Sequence, residues 1–295
     1  QKMLSYLNQT LVVLIPKRIV LELLGHFRPI SLCTTVYKVV SKVIVRRIRP
    51  FMQQLVSPLQ AAFIPGRKGL DNMIITQEIL HSMERKKGVG VVALKIDLEK
   101  AFDRLEWSFV REVLVHFNFP PNLIALIMDC ISSSTVSILF NGGKLDPFTP
   151  SRRIRQGDPI SPYIFILCLE YLGLLIHDKI TLKAWKAVKA SRSGPAFSHL
   201  FFADDLILFG QATLSTAHAI DEVLSHFCRL SRQKVSNEKS RILFSKNTPD
   251  LIKNSICSSL GFLEEHMLFL IKSGVFLEKR IAYAPPSVSW RLRSL

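Results

Sequence analysis

Two adjacent carboxylates, Asp204 and Asp205, stand between two short apolar runs, Leu200–Ala203 and Leu206–Phe209. Runs of this length and composition read as strands, and a charged pair between them reads as the tip of a tight hairpin. Asp is a common turn residue, and neighbouring carboxylates repel each other. Here Phe201, Phe202, Leu206, Ile207, Leu208 and Phe209 seat both acids between buried strands. Charge in such a place is costly unless a cation neutralises it. Asp97 is a second acid of the same kind, closing the apolar run Val91–Ile96. Taken singly, Asp97 reads better as a helix N-cap just past a strand, and the acidic pair as an ordinary turn. Taken together, two strand-end acid clusters can converge on hard divalent cations, which prefer oxygen ligands. Two such ions a few ångströms apart can activate a hydroxyl and stabilise a leaving pyrophosphate.

The rest of the chain alternates helical and strand-like segments. Periodicity predicts a helix over Ser31–Met52, with Val36, Val39, Val40, Val43 and Ile48 inward and Lys38, Lys42, Arg46, Arg47 and Arg49 outward. Such a single-sign stripe suits a phosphate-facing surface. Ser57–Gly69 reads as a loop, Asp71–Arg85 as a helix and Val91–Ile96 as a buried strand. Helices are expected from Trp107 to Phe117 and from Pro121 to Ile131, and a strand over Val136–Phe140 ends in the turn Asn141-Gly142-Gly143. Ser161-Pro162 marks a helix start with Ser161 as cap, and Ile164–Ile176 reads as a core helix. Ile220–Leu230 is amphipathic. Beyond about residue 245 the pattern weakens, and Ala284–Leu295 reads as a tail.

Charge narrows the class of partner. With 39 Lys+Arg against 23 Asp+Glu the net charge is +16, the electrostatic footprint of a polyanion partner. The longest apolar run is too short to span a bilayer and is broken by Glu170, and no signal peptide is evident. Cys33, Cys130, Cys168, Cys228 and Cys257 form no Cys-x-x-Cys pair and read as reduced thiols rather than zinc ligands.

Six blocks, read in order, resemble the reverse transcriptases of LINE-type (non-LTR) retrotransposons, in wording nearest to plant elements. Phe27-Arg28-Pro29-Ile30-Ser31-Leu32 and Phe63-Ile64-Pro65-Gly66-Arg67 match finger motifs. Asp97 with Ala101-Phe102 matches the first palm motif, and Arg155-Gln156-Gly157-Asp158-Pro159 with Ser161-Pro162 the next. Phe202-Ala203-Asp204-Asp205 matches the catalytic hairpin, and Gln233-Lys234-Val235 with Asn237-Glu238-Lys239-Ser240 the segment after it.

The resemblance implies an α+β fold: right-hand polymerase fingers and palm, with a small antiparallel palm sheet packed on helices and a vestigial thumb. It implies partial fingers over 1–90, a palm with inserted finger segments over 91–245, and a degraded thumb, connection or disordered tail over 246–295. It implies RNA-directed DNA polymerase activity, adding deoxynucleotides to a primer 3′-OH with two Mg²⁺ or Mn²⁺ ions. The partners would be an RNA template, a DNA primer or target and deoxynucleoside triphosphates, with no membrane, in the nucleus or cytoplasm and not secreted.

By the same resemblance Asp97, Asp204 and Asp205 would ligate the metals. Phe102 would lie under the nucleotide sugar and exclude a 2′-hydroxyl. Gln156 and Gly157 would line the pocket for template base and nucleotide. Lys17 and Arg28 would hold the triphosphate, Lys239 would attend the leaving pyrophosphate, and Arg67, Lys42 and Arg46 would contact template or primer.

Some positions depart from the family pattern. Leu21 stands in place of proline, His26 in place of aspartate, and Arg153 and Arg232 in place of glycines. A glycine at positive φ replaced by arginine would be strained. The block around Ser273-Gly274-Val275 is degraded. These departures fit a truncated or decayed copy. The alternative reading is therefore an inactive nucleic-acid-binding remnant.

Overall fold

A computed structural model of the chain describes residues 5–17, 19–20, 22–85, 87–191 and 193–265. Leu21, the segment Ile271–Leu277 and the tail from Ala284 lie outside the described residues. In chain order the elements are β1 (Gln9–Pro16), β2 (Phe27–Cys33), α1 (Thr35–Ile48), α2 (Met52–Leu55), α3 (Gly69–Arg85), β3 (Val91–Asp97) and α4 (Ala101–Arg104). Then come α5 (Trp107–His116), α6 (Pro121–Ser132), β4 (Thr135–Phe140), β5 (Gly143–Lys144), α7 (Ser161–Thr181), β6 (Val188–Lys189) and β7 (Ala196–Phe197). The described part closes with β8 (His199–Phe202), β9 (Asp205–Gln211), α8 (Leu214–Ser231), β10 (Arg241–Phe244), α9 (Asp250–Leu260) and β11 (Leu263–Glu264). The mixture of helix and sheet is the α+β class that the motifs imply.

The chain divides into two compact units. The first holds the described residues up to 56 together with 100–171 and 228–234. Its sheet has the order β2-β1-β4-β5, with β1 antiparallel to β2 and parallel to β4. The second holds 57–99, 172–227 and the described residues from 235 on. Its larger sheet has the order β11-β10-β3-β9-β8, antiparallel except for the β10–β11 pair, and β6 and β7 form a separate two-stranded sheet. β3 lies in the middle of the larger sheet, which explains why Val91–Leu94 are buried without alternation. Ile79, Leu80 and Met83 of α3 pack there against Ala93, Leu200, Ile207 and Phe209.

Four local expectations are corrected. Ser31–Cys33 belong to a strand, so the helix begins only at Thr35. The inward face of α1 is Tyr37, Ser41, Ile44 and Ile48, whereas Val36, Val39 and Val43 are 53%, 57% and 48% exposed. The cause is polar: Tyr37 and Ser41 turn in to reach a buried carboxylate, Asp158, and that bond outweighs the apolar periodicity. Ser161 does not cap α7. Its Oγ is buried with no partner among the described residues, and Asp158 Oδ1 accepts from the Ile160 amide at 3.2 Å instead. Past residue 245 the weak pattern conceals α9 and β11, whose few buried side chains include Ile256 and Leu260.

Candidate functional site

In the second unit, the register of the sheet places the acids. β3 and β9 pair from Val91↔Gln211 through to Asp97↔Asp205, so these two carboxylates stand opposite each other at the strand ends. Phe202 pairs with Asp205 across the hairpin, leaving Ala203 and Asp204 as the turn. Two-residue hairpins favour φ above zero at the first central residue because that twist matches the strands, and glycine is usual there. Ala203 takes that conformation with φ 53° while buried. The Phe202 ring lies on Gly69, the first residue of α3, where a Cβ would come within 2.5 Å of the ring.

The backbone of Asp97 is held on both sides. Its amide donates to Ser240 Oγ at 3.1 Å, and its carbonyl accepts from the Ser236 amide at 2.9 Å. Leu98 forms a bridge with Val235. The segment of Asn237-Glu238-Lys239-Ser240 thereby reaches the acids. Lys239 Nζ is 3.9 Å from Asp97 Oδ1, with 71% of the lysine side chain and 38% of the aspartate exposed. The acids fit a hard cation in donor type and in backbone placement. Among the described residues, no three His, Cys, Asp or Glu side chains are already gathered into a metal-binding group, so what the structure shows of the three acids is their backbone placement. Arg67 belongs to the same unit. Its Nη1 donates to the carbonyls of Ser57 and, at 2.7 Å, of Gln60, which gives it a role in shaping the loop.

The first unit holds the Gln156-Gly157 turn. Arg155 and Asp158 close across it at 2.9 Å, with both side chains buried. Asp158 also accepts from Tyr37 Oη at 2.5 Å and from Ser41 Oγ at 2.7 Å. Arg155 donates to Asn8, Thr10 and the Cys130 carbonyl, and it sits 4.1 Å over the Tyr37 ring. A buried ion pair needs its remaining donors and acceptors met; both terminal nitrogens of Arg155 are bonded in this way, while its buried Nε has no hydrogen-bond partner among the described residues. Burial and the nearby Asp158 push the Tyr37 phenol well above its ordinary range, so it stays a donor. Burial likewise pushes the Cys130 thiol up to about 12.

This network holds the turn against β2. The Ser31 amide donates to the Gln156 carbonyl at 2.7 Å. Gly157 has φ 104°, and a Cβ there would lie 2.8 Å from the Ser31 carbonyl oxygen. Only glycine meets both conditions. Phe102 stacks on Phe165 with centroids 4.6 Å apart, and its carbonyl accepts from the Ile154 amide at 2.9 Å. Gln233 Nε2 donates to the Ala101 carbonyl at 2.7 Å, which ties the segment after the catalytic hairpin motif to the start of α4.

Lys17, Arg28, Lys42 and Arg46 are exposed, with Lys17 Nζ on the Gly25 carbonyl at 3.1 Å. His26 Nδ1 accepts from the Glu22 and Leu23 amides, the acceptor role open to an aspartate there. Arg153 has φ 99° and Arg232 φ 59°. Arg153 Nη2 meets Ser31 Oγ at 3.2 Å and its Nε lies 3.9 Å from Asp103. Burial pushes the Asp103 carboxyl up, against the opposite pull of Arg153.

Sequence reasoning missed Tyr37, Ser41 and Gln60. The available signal for the first two was a Tyr and a Ser four apart, uncharged polar side chains on a helix whose other positions from Val36 to Ile48 are aliphatic or cationic. The buried loop residue Gln60 offered none.

Comparison with known proteins agrees with the motifs. The family described as reverse transcriptase (RNA-dependent DNA polymerase) matches residues 15–263. An uncharacterized 149 kDa protein of transposon TX1 from Xenopus laevis is 28% identical over 233 residues, covering 79% of this chain and 17% of that protein. The Pol polyprotein of the type-2 retrotransposable element R2DM from Drosophila melanogaster is 25% identical over 238 residues, covering 80% of this chain and 21% of that one. The chain thus spans about a fifth of the length of these relatives. A telomerase structure from Candida tropicalis, in complex with a fragment of telomeric RNA, superposes with a TM-score of 0.58 at 14% identity over 84% of this chain and 42% of that one. That likeness is one of fold.

Proposed function

Because this chain belongs to the reverse transcriptase family, we propose that it is the RNA-directed DNA polymerase portion of a LINE-type, plant-like element. It extends a primer 3′-OH with deoxynucleotides along an RNA template. The observation that carries the proposal is the pairing of Asp97 with Asp205 at adjacent strand ends, beside Asp204 in the turn. The family generally uses divalent metal ions. In this reading Asp97, Asp204 and Asp205 hold two Mg²⁺ or Mn²⁺ ions, which when bound supply charge neutralisation at the reacting phosphate.

The chain's own groups then do the positioning. Phe102, stiffened by Phe165, lies under the sugar and favours a deoxynucleotide. Gln156 and Gly157 offer close backbone approach to the nucleotide. Lys17 and Arg28 bind the triphosphate as charge-assisted donors. Lys239 steadies the leaving pyrophosphate, and Arg67, Lys42 and Arg46 bear on the template-primer backbone, Arg67 from a side chain that also orders the finger loop. We assign residues up to 90 to the fingers and 91–245 to the palm. No helix among the described residues is long and apolar enough to cross a membrane, and we place the protein in the nucleus or cytoplasm.

A second reading, an inactive nucleic-acid-binding remnant, is favoured by the left-handed conformations of Arg153 and Arg232. Incubation with a primed RNA template, deoxynucleotides and Mg²⁺ or Mn²⁺, beside an Asp204→Asn variant, separates the two. Extension by the wild type alone supports the polymerase. A folded wild type that binds template and extends nothing supports the remnant.

A further inference from the structure

We infer that Gln60 is a positioning residue for the turn that carries Asp204 and Asp205, an inference that rests on the polymerase reading for its functional meaning. β8 is the edge of its sheet, and an edge strand needs cover. The loop from Ser57 supplies it. The Phe201 amide donates to the Leu59 carbonyl at 2.8 Å, and the Ala61 amide donates to the Phe201 carbonyl at 3.1 Å, forming a parallel bridge centred on Gln60. Asn72 Nδ2 adds a bond to the same Phe201 carbonyl at 3.0 Å.

From this bridge the Gln60 side chain reaches into the turn. It is 1% exposed. Its Oε1 accepts from the Ala62 amide at 2.9 Å and from the Ala203 amide at 3.4 Å. One acceptor therefore ties the covering loop to the first residue of the acid-bearing turn. Ala203 is the residue in that turn that departs from its preferred backbone, with φ 53°. A side-chain-bearing residue keeps a left-handed conformation only where its surroundings over-determine it.

The remaining polarity of Gln60 fits the same role. Its Nε2 is buried without a hydrogen-bond partner among the described residues. An apolar side chain of equal size would avoid that orphaned donor. The amide earns its place through the oxygen. Arg67 donates to the Gln60 carbonyl at 2.7 Å, so the backbone that aims this oxygen is itself held. Gln60 acts on the reaction through Ala203 and touches no reacting atom.

The test compares the wild type, Gln60→Met and Gln60→Met with Ala203→Gly, all in the full chain. Amide hydrogen exchange is read over 199–209, and the Mg²⁺ concentration at half-maximal primer extension is read beside the deoxynucleotide KM. The methionine variant should speed exchange over 199–209 selectively and raise the Mg²⁺ requirement about tenfold, with KM unmoved. Glycine at 203, which adopts the turn without strain, should restore both. Unchanged exchange over 199–209, or exchange speeded equally throughout the fold, overturns the inference. Where the methionine variant does not fold, Gln60→Asn, which keeps the acceptor but shortens its reach, is read for the same two outcomes. A wild type that never extends a primer ends the polymerase reading, and the exchange measurement still decides this one.

Discussion

Arg153 and Arg232 hold backbone conformations that suit glycine, with φ 99° and 59°. Their contexts differ, and so do the expected effects of replacing them. Arg232 is exposed, so glycine there relieves strain and gives up little packing. Relief of a left-handed conformation is offset in part by the greater freedom glycine gives the unfolded chain. Arg232→Gly should therefore stabilise by about 0.5–1 kcal/mol, read as a higher urea midpoint at unchanged slope. Arg153 donates to Ser31 and faces Asp103. Its carbonyl accepts from Trp107 Nε1 at 2.7 Å, a bond that the backbone keeps in any variant. Arg153→Gly leaves the partly buried Asp103 without its nearest cation and should gain less than Arg232→Gly. A lower midpoint for Arg232→Gly would show that its conformation carries no strain worth relieving.

At the scale of elements, α1 makes the sharpest test. Its exposed Val36, Val39 and Val43 and its buried Ile44 are equally apolar, and only tertiary contacts tell them apart. Val43→Lys should change stability by less than about 0.5 kcal/mol, as surface substitutions do. Ile44→Lys buries an unpaired charge and should unfold the first unit or cost several kcal/mol. Parallel thermal melts decide, and comparable losses in both variants would restore the face that periodicity predicts. The same helix shows where sequence reasoning stops. Asp97 and the Asp204-Asp205 pair were legible because each joins an apolar run to an acid, two local signals that agree. The inward face of α1 was not, because it is chosen by Asp158, which lies 121 residues from Tyr37 and 117 from Ser41. Gln60 was illegible for a related reason: a loop residue has no period, and its partner Ala203 is 143 residues away. Such sites are set by long-range hydrogen bonds that no window along the chain contains.

For the whole molecule, the quantity that matters is charge. The net +16 was plain from composition, but composition leaves open how much of it meets phosphate. α1 bears Lys42, Arg46 and Arg47 on its exposed side and no acid along its length, so at least part of the excess is gathered on one surface. Binding that neutralises phosphates releases counterions. Its logarithm falls with the logarithm of salt at a slope of about −0.7 per contact on a single strand and about −0.9 on a duplex. A template-holding role for Lys42 and Arg46 therefore makes a definite claim. Replacing both by alanine should flatten the slope by about 1.4 on a single strand and about 1.8 on a duplex, and weaken binding equally across sequences, since phosphate contacts carry no sequence information. Fluorescence anisotropy over a salt series measures both. An unchanged slope would remove these two residues from the template surface, and a shallow slope in the wild type would mean that the positive charge serves something other than a nucleic-acid backbone. A steep wild-type slope would hold for the polymerase and for the remnant alike, which is why extension, and not affinity, separates them.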